Sequence, residues 1–172
     1  MFGVCDYSKI YCEAFGQDDA DFRNELFENC FEYVRLLEDN GEILSMLFNL
    51  PCKIVTDSTE FKAGYIYAAA TPKKHRLKGY MSQLLKKVKN NFNGVLFLRP
   101  ANKGLIEFYR KNGFKEITGI GNKNGFPLVE PCENFAKLVQ NNSEETNEKF
   151  TLMYYSKENI NLENLHFIYS ME

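Results

Sequence analysis

The sequence predicts one domain of the α/β (α+β) class, with a mixed, mostly antiparallel, twisted sheet flanked by helices. An Asp39-Asn40-Gly41 turn between two apolar runs indicates an antiparallel hairpin, because Asn-Gly suits the backbone of a tight hairpin loop. Strand, helix and strand patterns follow between residues 62 and 98, which indicates a central parallel β-α-β unit. The 172 residues suit one domain over 1–172, with a core at about 8–120 and a C-terminal part, 120–172, of one helix plus strands.

The strands are predicted from short apolar or alternating runs bounded by turn residues. They are Tyr33–Glu38, Glu42–Leu50, Lys62–Ala70, Val95–Leu98, Phe150–Ser156 and Leu165–Tyr169. Pro51 is expected to end the second of them, since proline cannot donate to a strand ladder. Residues 1–10 show no convincing strand.

Four helical regions are predicted from apolar residues at helical spacing. The first lies within residues 8–31 and has Asp18 or Asp19 as a capping residue. The second carries an apolar stripe of Met81, Leu84, Leu85 and Val88. The others are Asn102–Asn112, which is followed by Gly113 as a C-terminal cap, and Cys132–Val139.

Composition narrows the function classes. The net charge of −2 gives no overall attraction to nucleic acid or to an anionic membrane. No apolar run is long enough to span a bilayer, and the N-terminus lacks a signal-peptide layout, so a cytoplasmic location is expected. Five scattered cysteines without a CxxC pair, and two distant histidines, predict reduced thiols and no metal site. A monomer and a homodimer both remain open.

The loop before the second helix is the most informative feature. Gly79 stands where that helix begins, and glycine lets a ligand approach the backbone closely. The first N–H groups of a helix lack partners and carry a partial positive charge, so they favour a phosphate. Lys73, Lys74, Arg76 and Lys78 add charge. Taken alone, the loop fits a solvated basic loop as well as an anion site.

A second motif narrows this choice. Arg76-Leu77-Lys78-Gly79-Tyr80-Met81 and Asn102 to Phe114, which ends in Tyr109-Arg110-Lys111-Asn112-Gly113-Phe114, resemble two motifs of the GNAT superfamily of acyl-CoA-dependent N-acyltransferases. In that family an Arg/Gln-x-x-Gly-x-Gly/Ala turn follows the fourth strand. Met81 departs from it, because Gly or Ala is usual there. The resemblance covers residues 71–114 and, more loosely, the hairpin.

The resemblance implies a site for acetyl-CoA as co-substrate, without a metal. Backbone groups near Ala69, Ala70 and Thr71 would pair with the pantetheine arm, and Asn102 would contact the pantetheine or acyl end, besides serving as an N-cap. Tyr109 would protonate the departing CoA thiolate, although at helical spacing it is also a natural core aromatic. The diphosphate would lie on the turn formed by Arg76, Leu77, Lys78, Gly79, Tyr80 and Met81.

Three functions are consistent with these observations. The first is an N-acetyltransferase that moves an acetyl group from acetyl-CoA to a primary amine of a small molecule or peptide by direct attack. The second is a non-catalytic CoA-binding or interaction domain of the same fold, which Met81 and the absence of an acid on Ala63–Ala70 favour. The third is a nucleic-acid module using the Lys73–Lys78 and Lys86–Lys89 clusters, which the net charge disfavours. Tyr65 and Tyr67 share a strand face that would order water, and Glu60 is a weak candidate for the base.

Overall fold

The computed structural model describes residues 2–16, 20–122, 124–139 and 147–167. The helices are α1 (Val4–Phe15), α2 (Ala20–Cys30), α3 (Tyr80–Asn91), α4 (Lys103–Lys111) and α5 (Glu133–Val139). The strands are β1 (Val34–Asp39), β2 (Glu42–Val55), β3 (Glu60–Ala70), β4 (Val95–Leu98), β5 (Lys115–Ile120), β6 (Leu128–Pro131), β7 (Lys149–Ser156) and β8 (Asn164–Phe167). In the part of the chain so described, no helix is long and apolar enough to cross a bilayer.

The fold-class prediction is confirmed: five described helices accompany one mixed, eight-stranded sheet. Contacts divide the chain into two compact units, Met1–Leu50 with Ile66–Phe92, and Pro51–Tyr65 with Asn93–Glu172. Because β2 and β3 each contribute residues to both units, each unit is assembled from separate stretches of chain. Whether residues 1–172 behave as one domain stays a prediction.

The first unit contains the predicted hairpin. β1 pairs antiparallel with β2 from Val34↔Phe48 to Asp39↔Glu42, and Asn40 and Gly41 take φ values of 48° and 76° in the turn. Helix α2 covers β2 with the ring of Phe27, which meets Phe48 edge-on at 5.4 Å between centroids. Residues 4–15, where the sequence showed no strand, form α1. Asp18 and Asp19, the predicted caps, lie outside the described residues.

Helix α3 packs on β1 through the predicted apolar stripe. Leu84 and Leu85 are fully buried and Val88 nearly so, whereas Met81 at the start of the stripe is only half-buried. Burying two leucines and a valine stabilises such a contact by roughly 1.5–3 kcal/mol for each side chain. Because α3 packs on β1 through this stripe, the position of its N-terminus within the first unit is fixed.

The prediction that Pro51 ends its strand is wrong, because β2 continues to Val55. β1 pairs with β2 only as far as Phe48, and β6 pairs with it from Cys52↔Pro131 onward. Pro51 lies between these two ladders, where the loss of one N–H donor is tolerated. Its carbonyl oxygen still accepts a hydrogen bond from the N–H of Cys132 at 2.9 Å.

The second unit holds a ring of strands. β3 pairs parallel with β4, which confirms the predicted β-α-β unit, and the order continues through β7, β5, β8 and β6. β6 then pairs with the end of β2, and a turn at Thr56–Thr59 joins β2 to β3. Phe97, Leu152 and Phe167 are fully buried on the strands of this ring, and the rings of Phe97 and Phe167 meet at 5.8 Å between centroids.

Two strands and two parallel pairings were not predicted. β5 and β6 are short, and β8 pairs parallel with both of them. The helix predicted at Cys132–Val139 and the strand predicted at Phe150–Ser156 match α5 and β7 to within one residue. The predicted last strand matches β8 up to Phe167, and residues 168 and 169 lie outside the described residues.

Candidate active site

The end of β3 presents backbone rather than bulky side chains. Ala68, Ala69 and Ala70 follow one another there, and Ala68 has φ of 47°, which interrupts the regular extended strand. The parallel pairing of β3 with β4 covers only Ala63, Gly64 and Tyr65. The backbone groups of Ala69 and Ala70 are therefore not used by β4; Ala69 is half-buried and Ala70 is buried.

The turn after β3 is tightly organised. A short 3-10 turn, Lys73–His75, is followed by Arg76, whose Nε donates to the Thr71 carbonyl oxygen at 3.1 Å. The Thr71 hydroxyl lies 2.7 Å from that of Ser45 on β2. These contacts anchor both ends of the loop within the first unit.

Gly79 is the N-cap of α3 and has φ of 78° and ψ of 7°. A β-carbon added there would meet nothing within 4 Å, so the space in front of the helix is open. The first intrahelical bond runs from Gln83 N to Gly79 O at 3.1 Å, which leaves the amides of Tyr80 and Met81 pointing out of the helix end. The first turn contains no acidic side chain. This arrangement is suited to an anion.

Acidic residues of the first unit take up part of the loop's charge. Glu42 forms an ion pair with Lys74, and His75 Nε2 lies 3.2 Å from Glu42 Oε1. Hydrogen bonds from Lys74 and then His75 lower the pKa of the Glu42 carboxyl. The Glu13 carboxylate accepts a hydrogen bond from the backbone N–H of Lys73. Among the basic side chains of the loop, Lys74 is thus paired with Glu42, and those of Lys73, Arg76 and Lys78, all exposed, are the better cations for a ligand.

His75 is buried, although it lies in a basic loop. Its exposed fraction is 8%, and its ring packs edge-on against Tyr80 at 5.8 Å between centroids. Leu77 shows the opposite behaviour, since it is fully exposed and has φ of 63°. The loop thus turns its histidine inward and its leucine outward, which sequence polarity does not indicate.

In the second unit, Asn102 caps α4 as predicted. Its Oδ1 accepts a hydrogen bond from the N–H of Leu105 at 3.0 Å. A β-carbon at residue 104 would lie 3.3 Å from that oxygen, so Gly104 leaves room for the cap. The side-chain NH₂ group of Asn102 is not part of the cap, and its predicted contact with pantetheine stays a prediction.

Tyr109 lies in the last turns of α4 and is almost completely buried, with its ring edge-on to Phe114 at 5.7 Å. Burial raises the pKa of Tyr109 to about 12. Tyr65 is close enough for an electrostatic effect: burial raises its pKa, Arg99 opposes the shift, and Cys52 and Tyr109 add to it. Tyr109 therefore stays a neutral hydrogen-bond donor throughout the physiological range.

Because it is buried, Tyr109 is predicted to ionise at a higher pH than an exposed tyrosine. The raised pKa stabilises the folded state fully below about pH 10, the unfolded value for tyrosine, and this contribution is lost as the pH rises towards 12. Tyrosinate absorbance of the folded chain should show a component near pH 12 that disappears in Tyr109→Phe. A difference spectrum placing Tyr109 near pH 10 would contradict the burial described here.

The residues considered for ordering water or acting as base lie in different surroundings. The Tyr65 ring stacks on Phe97 at 5.3 Å in the second unit, whereas the Tyr67 hydroxyl lies 3.5 Å from that of Tyr11 in the first. Glu60 forms an exposed ion pair with Lys53 at 3.1 Å. The role of Glu60 as a base stays a prediction.

Arg99 is a cationic residue that the sequence analysis did not single out. It follows the fully buried strand β4, and its guanidinium lies 4.6 Å from the centroid of the Phe150 ring. The sequence pattern that could have identified it is a cation directly after a continuous apolar strand. Among the described residues, no group of three histidine, cysteine or acidic side chains is arranged to hold a metal ion.

Comparison with known proteins decides the family. A sequence profile of the Acetyltransferase (GNAT) domain matches residues 4–117, about two thirds of the chain. This chain belongs to the GNAT family. No curated protein matches it.

Solved structures share the GNAT fold at low identity. A histone acetyltransferase HPA2 and related acetyltransferase from Corynebacterium glutamicum is 18% identical with a TM-score of 0.55, over 94% of this chain and 96% of that one. A GCN5-related N-acetyltransferase from Anabaena variabilis is 18% identical with a TM-score of 0.55, over 67% of this chain. A probable N-acyltransferase from Enterococcus faecalis is 18% identical with a TM-score of 0.54, over 70% of this chain. The chain spans 31% and 33% of the length of these last two proteins.

Proposed function

We propose that this GNAT-family chain transfers an acetyl group from acetyl-CoA to a primary amine of a small molecule or peptide. The observation that carries the proposal is the N-terminus of α3. Gly79 there takes a left-handed backbone in front of open space, with Arg76 and Lys78 beside it and no acid in the first helical turn. The CoA diphosphate would bind the amides of Leu77 to Met81, and the pantetheine arm would pair with Ala69 to Thr71.

The reaction would be direct attack of the neutral amine on the thioester carbonyl. The C–N bond forms, the C–S bond breaks, and the amine nitrogen gives its proton to solvent. Positioning of the two reactants and hydrogen bonds to the thioester oxygen would supply most of the rate. No covalent intermediate with the enzyme is needed.

Tyr109 would assist the departure of the thiolate. A free thiol has a pKa near ~8.5, so full proton transfer from a phenol of pKa about 12 is uphill. The hydroxyl would therefore donate a strong hydrogen bond to the sulfur as its negative charge develops, pass its proton to the sulfur as the thiol forms, and regain a proton from solvent, to which the amine released one. This role needs the hydroxyl to be protonated, and burial ensures that.

Two measurements test the proposal. Acetyl-CoA, CoA and longer acyl-CoAs should each raise the melting temperature in a thermal-shift titration, because a ligand that binds only the folded state stabilises it. Acetyl-CoA with a panel of primary amines should then release free thiol. No stabilisation by any acyl-CoA would overturn the donor site. Stabilisation without thiol release would favour a non-catalytic CoA-binding domain.

Met81 provides a separate prediction. Its half-buried side chain occupies a position at which the family has Gly or Ala, next to the amides proposed to hold the diphosphate. Met81→Ala should strengthen acetyl-CoA binding by roughly threefold, because alanine removes bulk beside the phosphate and favours the helix. Gln83→Ala, an exposed change on the same helix, is the control. Calorimetric titration showing weaker binding by Met81→Ala would place the diphosphate elsewhere.

A further inference from the structure

The guanidinium of Arg99, which directly follows β4, is placed by aromatic packing within the second unit. Its Cζ lies 4.6 Å from the centroid of the Phe150 ring. That ring lies over Gly119, which pairs with Phe150 across the β5–β7 ladder, and a β-carbon at residue 119 would overlap it. Phe167 supports the same ring, at 5.7 Å between centroids. The absence of a side chain at residue 119 therefore makes room for the aromatic surface on which the cation rests.

This guanidinium retains unused hydrogen-bond donors. An arginine side chain has five N–H groups, and no described residue accepts a hydrogen bond from Arg99. Among the described residues, only Glu148 brings a carboxylate within 4 Å, and its Oε1 lies 3.9 Å from Nη2, which is too far for a hydrogen bond. The Arg99 side chain is 26% exposed, so it is partly desolvated and can still be reached from solvent. Such a cation is suited to bind an anion directly.

Arg99 also lies close to the part of the second unit that contains Tyr109. Tyr65 stands opposite Phe97 in the β3–β4 ladder, and their rings stack at 5.3 Å between centroids. Arg99 follows Phe97 by two residues, the spacing at which side chains of an extended chain share a face. Burial raises the pKa of Tyr65, Arg99 opposes that rise, and Tyr109 adds to it. Arg99 and Tyr109 are therefore both within electrostatic range of Tyr65.

We propose that Arg99 binds a carboxylate of the acceptor, so that the preferred acceptors are amines that also carry a carboxylate, such as amino acids and short peptides. This inference rests on the proposed acetyl transfer and names the class of its acceptor. A guanidinium matches a carboxylate with two parallel hydrogen bonds, a contact that Glu148 does not make at 3.9 Å. Because the amine is uncharged when it attacks, a carboxylate is the charged feature by which the site selects its substrate.

The test compares the ω-amino acids from glycine to 6-aminohexanoate with their carboxamides, using thiol release from acetyl-CoA. For the best acid of this series, the KM should be about tenfold or more below that of its carboxamide, since hydrogen bonds between charged groups are the stronger ones. R99Q should remove this difference and leave the KM for acetyl-CoA unchanged. R99K should restore part of it, because lysine supplies the charge without the fork. Comparing the acid-to-amide ratio between variants cancels the different basicities of the two amines.

E148Q separates substrate binding from ion pairing within the fold. If Arg99 acted only through its ion pair with Glu148, R99Q and E148Q would change the KM of the acid equally, and the proposal would be overturned. We expect opposite effects: E148Q removes a competing carboxylate and should lower that KM by about threefold. R110Q removes an exposed arginine of the same unit, which pairs with Glu107 and Glu116, and should leave the acid-to-amide ratio unchanged. Circular dichroism and melting curves establish that each variant is folded.

Binding of the N-acetylated amino acids, measured by calorimetric titration, needs no turnover. R99Q should bind the best of them about tenfold more weakly than wild type does. Thiol release that does not depend on the carboxylate would overturn the role of Arg99 and leave acetyl transfer standing. Arg99-dependent binding without thiol release from any amine would support the carboxylate site and contradict the proposed function, whereas neither binding nor release would overturn both. An equal loss of CoA binding in R99Q would place Arg99 in the donor site and overturn the inference.

Discussion

Replacing Tyr109 with phenylalanine is expected to lower the turnover of acetyl-CoA with an amine about 100-fold. Removing a positioned proton donor commonly costs 10²–10⁴-fold, and the high pKa of Tyr109 favours the lower end, because the phenol assists mainly by hydrogen bonding. The loss should fall on kcat, and the KM for acetyl-CoA should change little, since the charge on sulfur exists only in the transition state.

Tyr154→Phe is a matched control for this variant. Tyr154 is also buried in the second unit, and its hydroxyl donates to the Ile160 carbonyl oxygen at 3.2 Å. Its loss should cost about 1 kcal/mol of stability and leave turnover unchanged. Equal turnover of Tyr109→Phe and wild type would remove Tyr109 from the mechanism without removing the chain from its enzyme class.

Replacing Gly79 with valine should abolish measurable donor binding and destabilise the chain by about 2 kcal/mol. A β-branched residue is strongly disfavoured at φ of 78°. The new side chain would also fill the open space in front of the α3 amides. Calorimetric titration with CoA, together with denaturant unfolding, measures the two effects separately.

Gly41→Val separates strain from ligand exclusion. Gly41 has φ of 76° and, as at Gly79, a β-carbon added there would meet nothing within 4 Å, so both substitutions impose comparable backbone strain. Gly41 lies in the β1–β2 turn. Only Gly79→Val should weaken CoA binding, by at least tenfold relative to the control. If both variants lost CoA equally, the loss would reflect strain, and the diphosphate would not lie on α3.

The elements that the sequence predicted well are those with local signals. The hairpin turn follows from Asn40-Gly41, and α4 lies between an Asn cap and Gly113 within one residue of prediction. The prediction that β2 ends at Pro51 failed, because the end of β2 depends on its long-range pairing, first with β1 and then with β6. β5 and β6 were not predicted, because each is defined by its pairing with distant strands rather than by a periodic pattern in its own sequence.

The candidate site likewise contains features with a local sequence signal and features that depend on long-range contacts. The cap geometry of Gly79 and Asn102 was predictable, because each residue type has a specific local conformation. The inward position of His75 and its contact with Glu42 were not predictable, since residue 42 is distant in sequence.

The ring of strands in the second unit bears on aggregation. A sheet edge presents unpaired backbone groups that another chain can extend, and a closed ring removes such edges. In the described part of the chain, β1 is the one terminal strand that pairs on one side only. It carries Arg35, Glu38 and Asp39 and is irregular between Leu37 and Glu38. Intermolecular strand addition at β1 is therefore opposed by these charged side chains and by the distorted ladder.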